Sequence, residues 1–159
     1  MPTSPLASGA ADLRRTLSDL VVASHRLTHL AARATGSTES PATWRTLSVL
    51  QSTGPLRLGE LASHSRVAQP TMTNIVRTLV EAEWVDRIAD AEDARAWQIV
   101  LTPRGAEALE AWRDALSTAL VPMFADLSED DLLALRRTVA VIVSRVERST
   151  ATSAAVAGR

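Results

Sequence analysis

The chain has 159 residues, a net charge of −1 and no cysteine. That length suits one domain or two small ones sharing a core. The missing cysteines exclude disulfides, thiol redox sensing and cysteine-ligated metals, and no apolar run approaches membrane-span length. All 17 basic residues are arginine; the near-neutral balance argues against indiscriminate polyanion binding, though not against a sequence reader whose cations are local.

Residues 1–9 hold two prolines and little to bury, which predicts a disordered N-terminus. They lack the charged start and apolar core of a secretory signal, so a cytoplasmic protein is expected. Residues 10–34 read as a long helix: Leu13, Leu17, Leu20, Val21, Leu27 and Leu30 recur at helical spacing and Gly36 ends it. That apolar face is longer than one small domain can cover, which predicts a partner chain. His25 and His29 lie one turn apart, a spacing that suits two metal ligands or an ordinary pair of surface histidines. No neighbouring Asp/Glu pair completes a site, so no metal is assigned.

Ser40 and Pro41 start the next helix, residues 41–52, which Gly54-Pro55 closes. Trp44, Leu47 and Leu50 form its apolar side; Trp44 reads as core or as the flat wall of a cavity. Leu56-Arg57 is a brief strand. Residues 58–64 form a short helix, Ser65-Arg66-Val67 a turn, and a second helix opens at Gln69-Pro70, where proline's missing N–H is not needed. Met72, Ile75, Val76 and Leu79 give that helix one buried face. The other face carries Gln69, Thr71, Thr73, Asn74 and Arg77: amides and hydroxyls for base edges, and an arginine for guanine or phosphate. Taken alone, the pattern equally describes a solvated amphipathic helix.

Two β-prone runs, residues 85–88 and 97–101, flank an acidic loop and read as a hairpin. Thr102-Pro103 caps a fifth helix, residues 103–120, with Leu109, Trp112, Leu116 and Leu120 in register and Pro122 at its end. The run SEDD at residues 128–131 is a capping-box-like start for a last helix. That helix carries Leu132, Leu133, Leu135, Val139, Ile142, Val143 and Val146, too apolar a set for a free surface. Residues 149–159 are small and polar and predict a flexible tail. There is no phosphate-cradling glycine loop, no GxSxG and no HExxH; neither an enzyme nor a cofactor is expected.

The order helix, turn, helix, hairpin over residues 58–105 resembles the MarR family of winged-helix transcriptional regulators. The resemblance rests on LGELA at 58–62, QPTMTNIVRTLVEAEWVDR at 69–87 and DAEDARAWQIVLTPRG at 90–105, with its Asp93-x-Arg95 and its run of Ile99, Leu101, Thr102 and Gly105. Glu83 replaces the family's usual glycine, Ala91 a proline and Ala94 the first arginine of the wing tip.

The resulting expectation is a mainly α (α+β) chain: a winged helix-turn-helix with a small β-hairpin wing, plus a helical dimerisation bundle of N- and C-terminal helices. Residues 37–102 would be the DNA-binding domain, 10–36 and 103–148 the dimerisation region, 1–9 and 149–159 the flexible ends. A homodimer would bind an inverted-repeat operator in double-stranded DNA. Gln69, Thr71, Thr73 and Asn74 would read bases and Pro70 would touch a thymine methyl. Arg66 and Arg77 would sit on phosphates. Arg95 would enter the minor groove, held by an ion pair with Asp93. The resemblance implies a repressor released by a small, aromatic or anionic effector, with His29, Trp44 and Trp112 as candidate lining residues. The alternatives are a winged-helix dimer that binds a protein partner, motivated by the acidic wing, and a histidine-based metal-responsive regulator.

Overall fold

The computed structural model describes residues 5–36, 39–90, 93 and 95–157. It divides into two compact units, residues 1–120 and 121–159. The first unit holds α1 (Pro5–Ala34), α2 (Pro41–Thr53), β1 (Leu56–Arg57), α3 (Leu58–Ser65), α4 (Gln69–Glu81), β2 (Val85–Ala89), β3 (Trp97–Leu101) and α5 (Pro103–Leu120). The second holds a 3-10 turn (Val121–Phe124) and α6 (Glu129–Ala157). No helix of the described residues is long and apolar enough to cross a membrane.

Local chemistry sets most of these boundaries. The Ser40 hydroxyl accepts the Thr43 N–H at 3.1 Å, capping α2. The Thr102 hydroxyl does the same for Gly105 at 3.0 Å, capping α5. Ser128 accepts the Asp131 N–H at 3.1 Å and donates to the Asp131 carboxylate at 2.6 Å, which starts α6. Two ends differ from expectation. α1 begins at Pro5, inside the segment expected to be disordered, and α6 runs on to Ala157, through the expected tail. The α6 extension is rich in alanine, whose helix propensity outweighs the small polar residues there, and Pro5 suits the first turn of α1. Residues 1–4 and 158–159 lie outside the described set.

β3 is the middle strand of a three-stranded antiparallel sheet in the order β1-β3-β2. Leu56 pairs with Ile99 and Arg57 with Gln98 on one side; Val85 to Ala89 pair with Leu101 to Trp97 on the other. The brief strand expected at Leu56-Arg57 is therefore real and closes the sheet. The core joins Trp44, Leu47 and Leu50 of α2 to Leu61 and Ala62 of α3. It continues through Met72, Val76 and Leu79 of α4, Val85 and Ile99 of the sheet, and Leu109 of α5. α1 packs against α5.

The junction of wing and α5 is tight. The Thr102 N–H donates to the Trp84 carbonyl at 3.1 Å and its hydroxyl to the Glu83 carbonyl at 2.7 Å. Glu83, where the resembled family carries glycine, has φ +61°, a left-handed backbone that costs a side-chain-bearing residue about 1 kcal/mol. Its carboxylate pairs with Arg104 at the surface, where such a pair contributes little. At Gly105 an added Cβ would lie 2.0 Å from the Trp84 carbonyl oxygen. Two substitutions should therefore act in opposite directions. Glu83→Gly should leave stability unchanged or raise it by up to about 1 kcal/mol, and Gly105→Ala should cost about 2 kcal/mol or more. Urea unfolding midpoints read both; a Gly105→Ala protein as stable as the parent would contradict the close approach.

Candidate nucleic-acid interface

The turn between α3 and α4 is held from three directions. Arg66 ends α3 in the left-handed conformation, φ 54° and ψ 46°. The Val67 N–H donates to the Ala62 carbonyl at 3.0 Å, and the Arg45 guanidinium donates to the Ser65 carbonyl at 3.2 Å. Ala68 is extended and offers no side-chain cap to α4. Pro70 has no N–H, so Gln69 and Thr71 carry the N–H groups of this helix start.

From there α4 divides cleanly. Met72, Val76 and Leu79 are buried and Ile75 is half-buried, while Gln69, Pro70, Thr71, Thr73, Asn74 and Arg77 are exposed, with Arg66 beside them. The five residues expected on the outer face, Gln69, Thr71, Thr73, Asn74 and Arg77, are all exposed, and so are Pro70 and Arg66. The Thr73 hydroxyl donates to the Gln69 carbonyl at 3.0 Å, which leaves it free to act as an acceptor.

The wing differs from expectation in its chemistry. Asp93 accepts the Arg95 backbone N–H at 3.0 Å in an Asx-type turn, and the ion pairs among the described residues do not include the expected one between the two side chains. The acid that organises the wing is Asp90, only 5% exposed. Its carboxylate accepts from Arg57 Nε at 2.6 Å, from Gln98 Nε2 at 3.2 Å and from the Asp93 N–H at 3.3 Å. The hydrogen bond that Arg57 donates to Asp90, with the charge of that carboxylate, holds the guanidinium above the ordinary arginine range. Arg95 itself is exposed. Ala91, Glu92 and Ala94 lie outside the described residues.

The candidate effector residues are arranged as follows. Trp44 stacks on Trp112, ring centroids 4.9 Å apart and planes 9° from parallel, and on Trp84 at 5.5 Å. Trp112 Nε1 is buried without an acceptor among the described residues. His29 is exposed on α1, edge-on to His25 at 6.4 Å. Among the described residues no three His, Cys, Asp or Glu side chains cluster as metal ligands.

With this geometry in place, comparison with known proteins decides the family. The MarR family model matches residues 40–97. An uncharacterized HTH-type transcriptional regulator of Mycobacterium leprae is 31% identical over 136 residues, 85% of this chain and 95% of that protein. The chain belongs to the MarR family. It is thus a transcriptional regulator built on a winged helix and not an enzyme. The HTH-type transcriptional repressor IacR of Pseudomonas putida is 27% identical over 65% of this chain and 62% of its own. A Staphylococcus aureus MepR F27L mutant bound to an oligodeoxyribonucleotide shares the fold, with TM-score 0.57, 21% identity and coverage of 86% of this chain and 97% of that one.

Within this MarR-family frame, sequence reasoning missed Asp90, Arg57, Gln98 and Trp84. The β1–β3 register alone would have put Arg57 opposite Gln98, but Asp90 joins them only through folding of the hairpin. If the three act as one unit, Arg57→Ala and Asp90→Ala should be strongly non-additive, the double variant unfolding at nearly the same urea concentration as Asp90→Ala alone. Additive losses would show that the pair does not act jointly.

Proposed function

We propose that this chain is a homodimeric, sequence-specific repressor that binds an inverted-repeat operator and leaves it when a small aromatic or anionic effector binds. One observation carries the DNA-reading part: the base-reading chemistry of α4 is exposed as a set, on a helix whose opposite face is locked into the core. The oligonucleotide on MepR and the repressor named among the relatives support the same reading.

The dimer is supported by apolar surface without cover in the single chain. On α1, Leu13, Leu17, Val21 and Leu30 are each about half exposed or more, and on α6 so are Leu133, Val139, Val143 and Val146. Exposed apolar residues in such numbers mark an interaction surface. A two-fold dimer would place its recognition helices in successive major grooves, with half-site centres about one helical turn apart. Gln69, Thr71, Thr73 and Asn74 read bases, Pro70 touches a methyl, Arg66 and Arg77 hold phosphates, and Arg95 enters the minor groove. For the effector, the support is the Trp112 N–H, a buried donor beside the tryptophan stack; His29 and Trp44 complete the proposed lining. The acidic-wing argument for a protein partner loses weight, because Asp90 and Asp93 are engaged within the wing.

The test uses duplexes selected from a random pool by the full chain, followed by gel shifts at two salt concentrations. Arg95→Ala should weaken binding and reduce the salt slope by about one. Asn74→Ala should cost about 1–3 kcal/mol and relax preference at one base position. Failure to select any duplex would remove the DNA reading and favour the protein-partner alternative.

A further inference from the structure

Three of the four tryptophans form the interior stack; the fourth, Trp97, is 59% exposed. It opens β3, two residues after Arg95. Alternation along the hairpin puts Trp97, Ile99, Arg87 and Ala89 on one sheet face, since Trp97 pairs with Ala89 and Ile99 with Arg87. Asp86 and Ile88 fall on the opposite face, with Val100 and Gln98. The first face begins in the core, where Val85 and Ile99 are 2% and 3% exposed, and runs out beyond it. At its outer end stand an indole and Arg87, both exposed, with Arg95 beyond them at the turn.

We propose that Trp97 is a DNA contact of this regulator: its indole packs on the deoxyribose wall of the minor groove while Arg95 enters the groove and Arg87 lies toward the phosphates. The inference rests on the DNA-binding reading and adds to it an apolar contact residue that Arg95 alone would not supply. Three observations carry it. At 59% exposure most of the residue lies clear of the sheet. Its own face carries arginine and no carboxylate, which matches a polyanion whose sugars are apolar. The patch is a single side chain of roughly 150–250 Å², far below the roughly 1,000 Å² of a stable protein interface but enough to cover a sugar or two. Apolar side chains beside arginine are a recurrent way of holding the minor groove.

The other three tryptophans make the test selective, because they are stacked inside. Acrylamide quenching of the free protein should show an accessible component that is absent from W97F. On saturation with a duplex selected from a random pool by the full chain, that component should be protected. W97A should bind the duplex more weakly, on the order of tenfold, with the wild-type salt slope, because no charge is removed. W97F should keep most of the affinity. If the duplex shifts but Trp97 stays as quenchable as in the free protein, or W97A binds as tightly as the parent, this inference is overturned and the DNA-binding reading stands. If no duplex is selected, both fall together.

Discussion

Burial of Met72, Val76 and Leu79 is the constraint on which the remaining geometry depends. Each is at most 1% exposed, and each such side chain contributes about 1.5–3 kcal/mol when removed from water. A helix is rigid over this length, so fixing one face fixes the other. The residues that can read a base are therefore held outward by packing that involves none of them. The turn before α4 adds its own restraint: left-handed Arg66 is a position most side chains avoid, and Arg45 and the Val67 N–H secure its neighbours.

A second constraint links the wing to α5. Thr102 spends its N–H and its hydroxyl on the carbonyls of Trp84 and Glu83, while the same hydroxyl caps α5 through Gly105. The base of β2 and the start of α5 thus share hydrogen bonds. Trp84 extends the link through Trp44 of α2 to Trp112 of α5. A ligand changes DNA affinity only by favouring one arrangement of such elements over another. A tightly packed aromatic stack is better suited to two discrete arrangements than to gradual deformation.

What was legible in the sequence was chemistry that acts over a few residues. Ser40, Thr102 and Ser128 announce their helices because a cap needs only the next three positions, and α5 starts and stops where Pro103 and Leu120 suggest. The faces of α4 follow from spacing alone. Asp90 was illegible for the opposite reason: its partner Arg57 is 33 residues away, and nothing local separates a buried organising carboxylate from a solvated one. Adjacency of Asp93 and Arg95 in sequence suggests a side-chain pair, whereas the carboxylate accepts the backbone N–H, a choice that local sequence does not encode. Glu83 was visible as a departure from the family, yet its cost became visible only with its φ. The end of α6 runs past the expected one because small residues resemble loop composition while alanine favours helix.

The chain's charge of −1 looks unsuited to a polyanion until the acids are placed. Asp90 is buried and paired, Glu83 is matched with Arg104, and Glu110 is drawn below the ordinary carboxylate range by hydrogen bonds from Gln51 and Arg113. Glu60 accepts the Arg57 backbone N–H at 2.9 Å. Around the proposed interface, Arg66, Arg77, Arg87 and Arg95 are exposed, and none has an ion-pair partner among the described residues. At physiological salt, fields from exposed charges fade within about 8 Å, so the net charge of the molecule matters less to a phosphate than the few cations near it. In the proposed reading, neutral bulk with a few local cations would hold non-specific DNA weakly. Selectivity in that reading would then fall to Gln69, Thr71, Thr73 and Asn74 of α4, all of them uncharged.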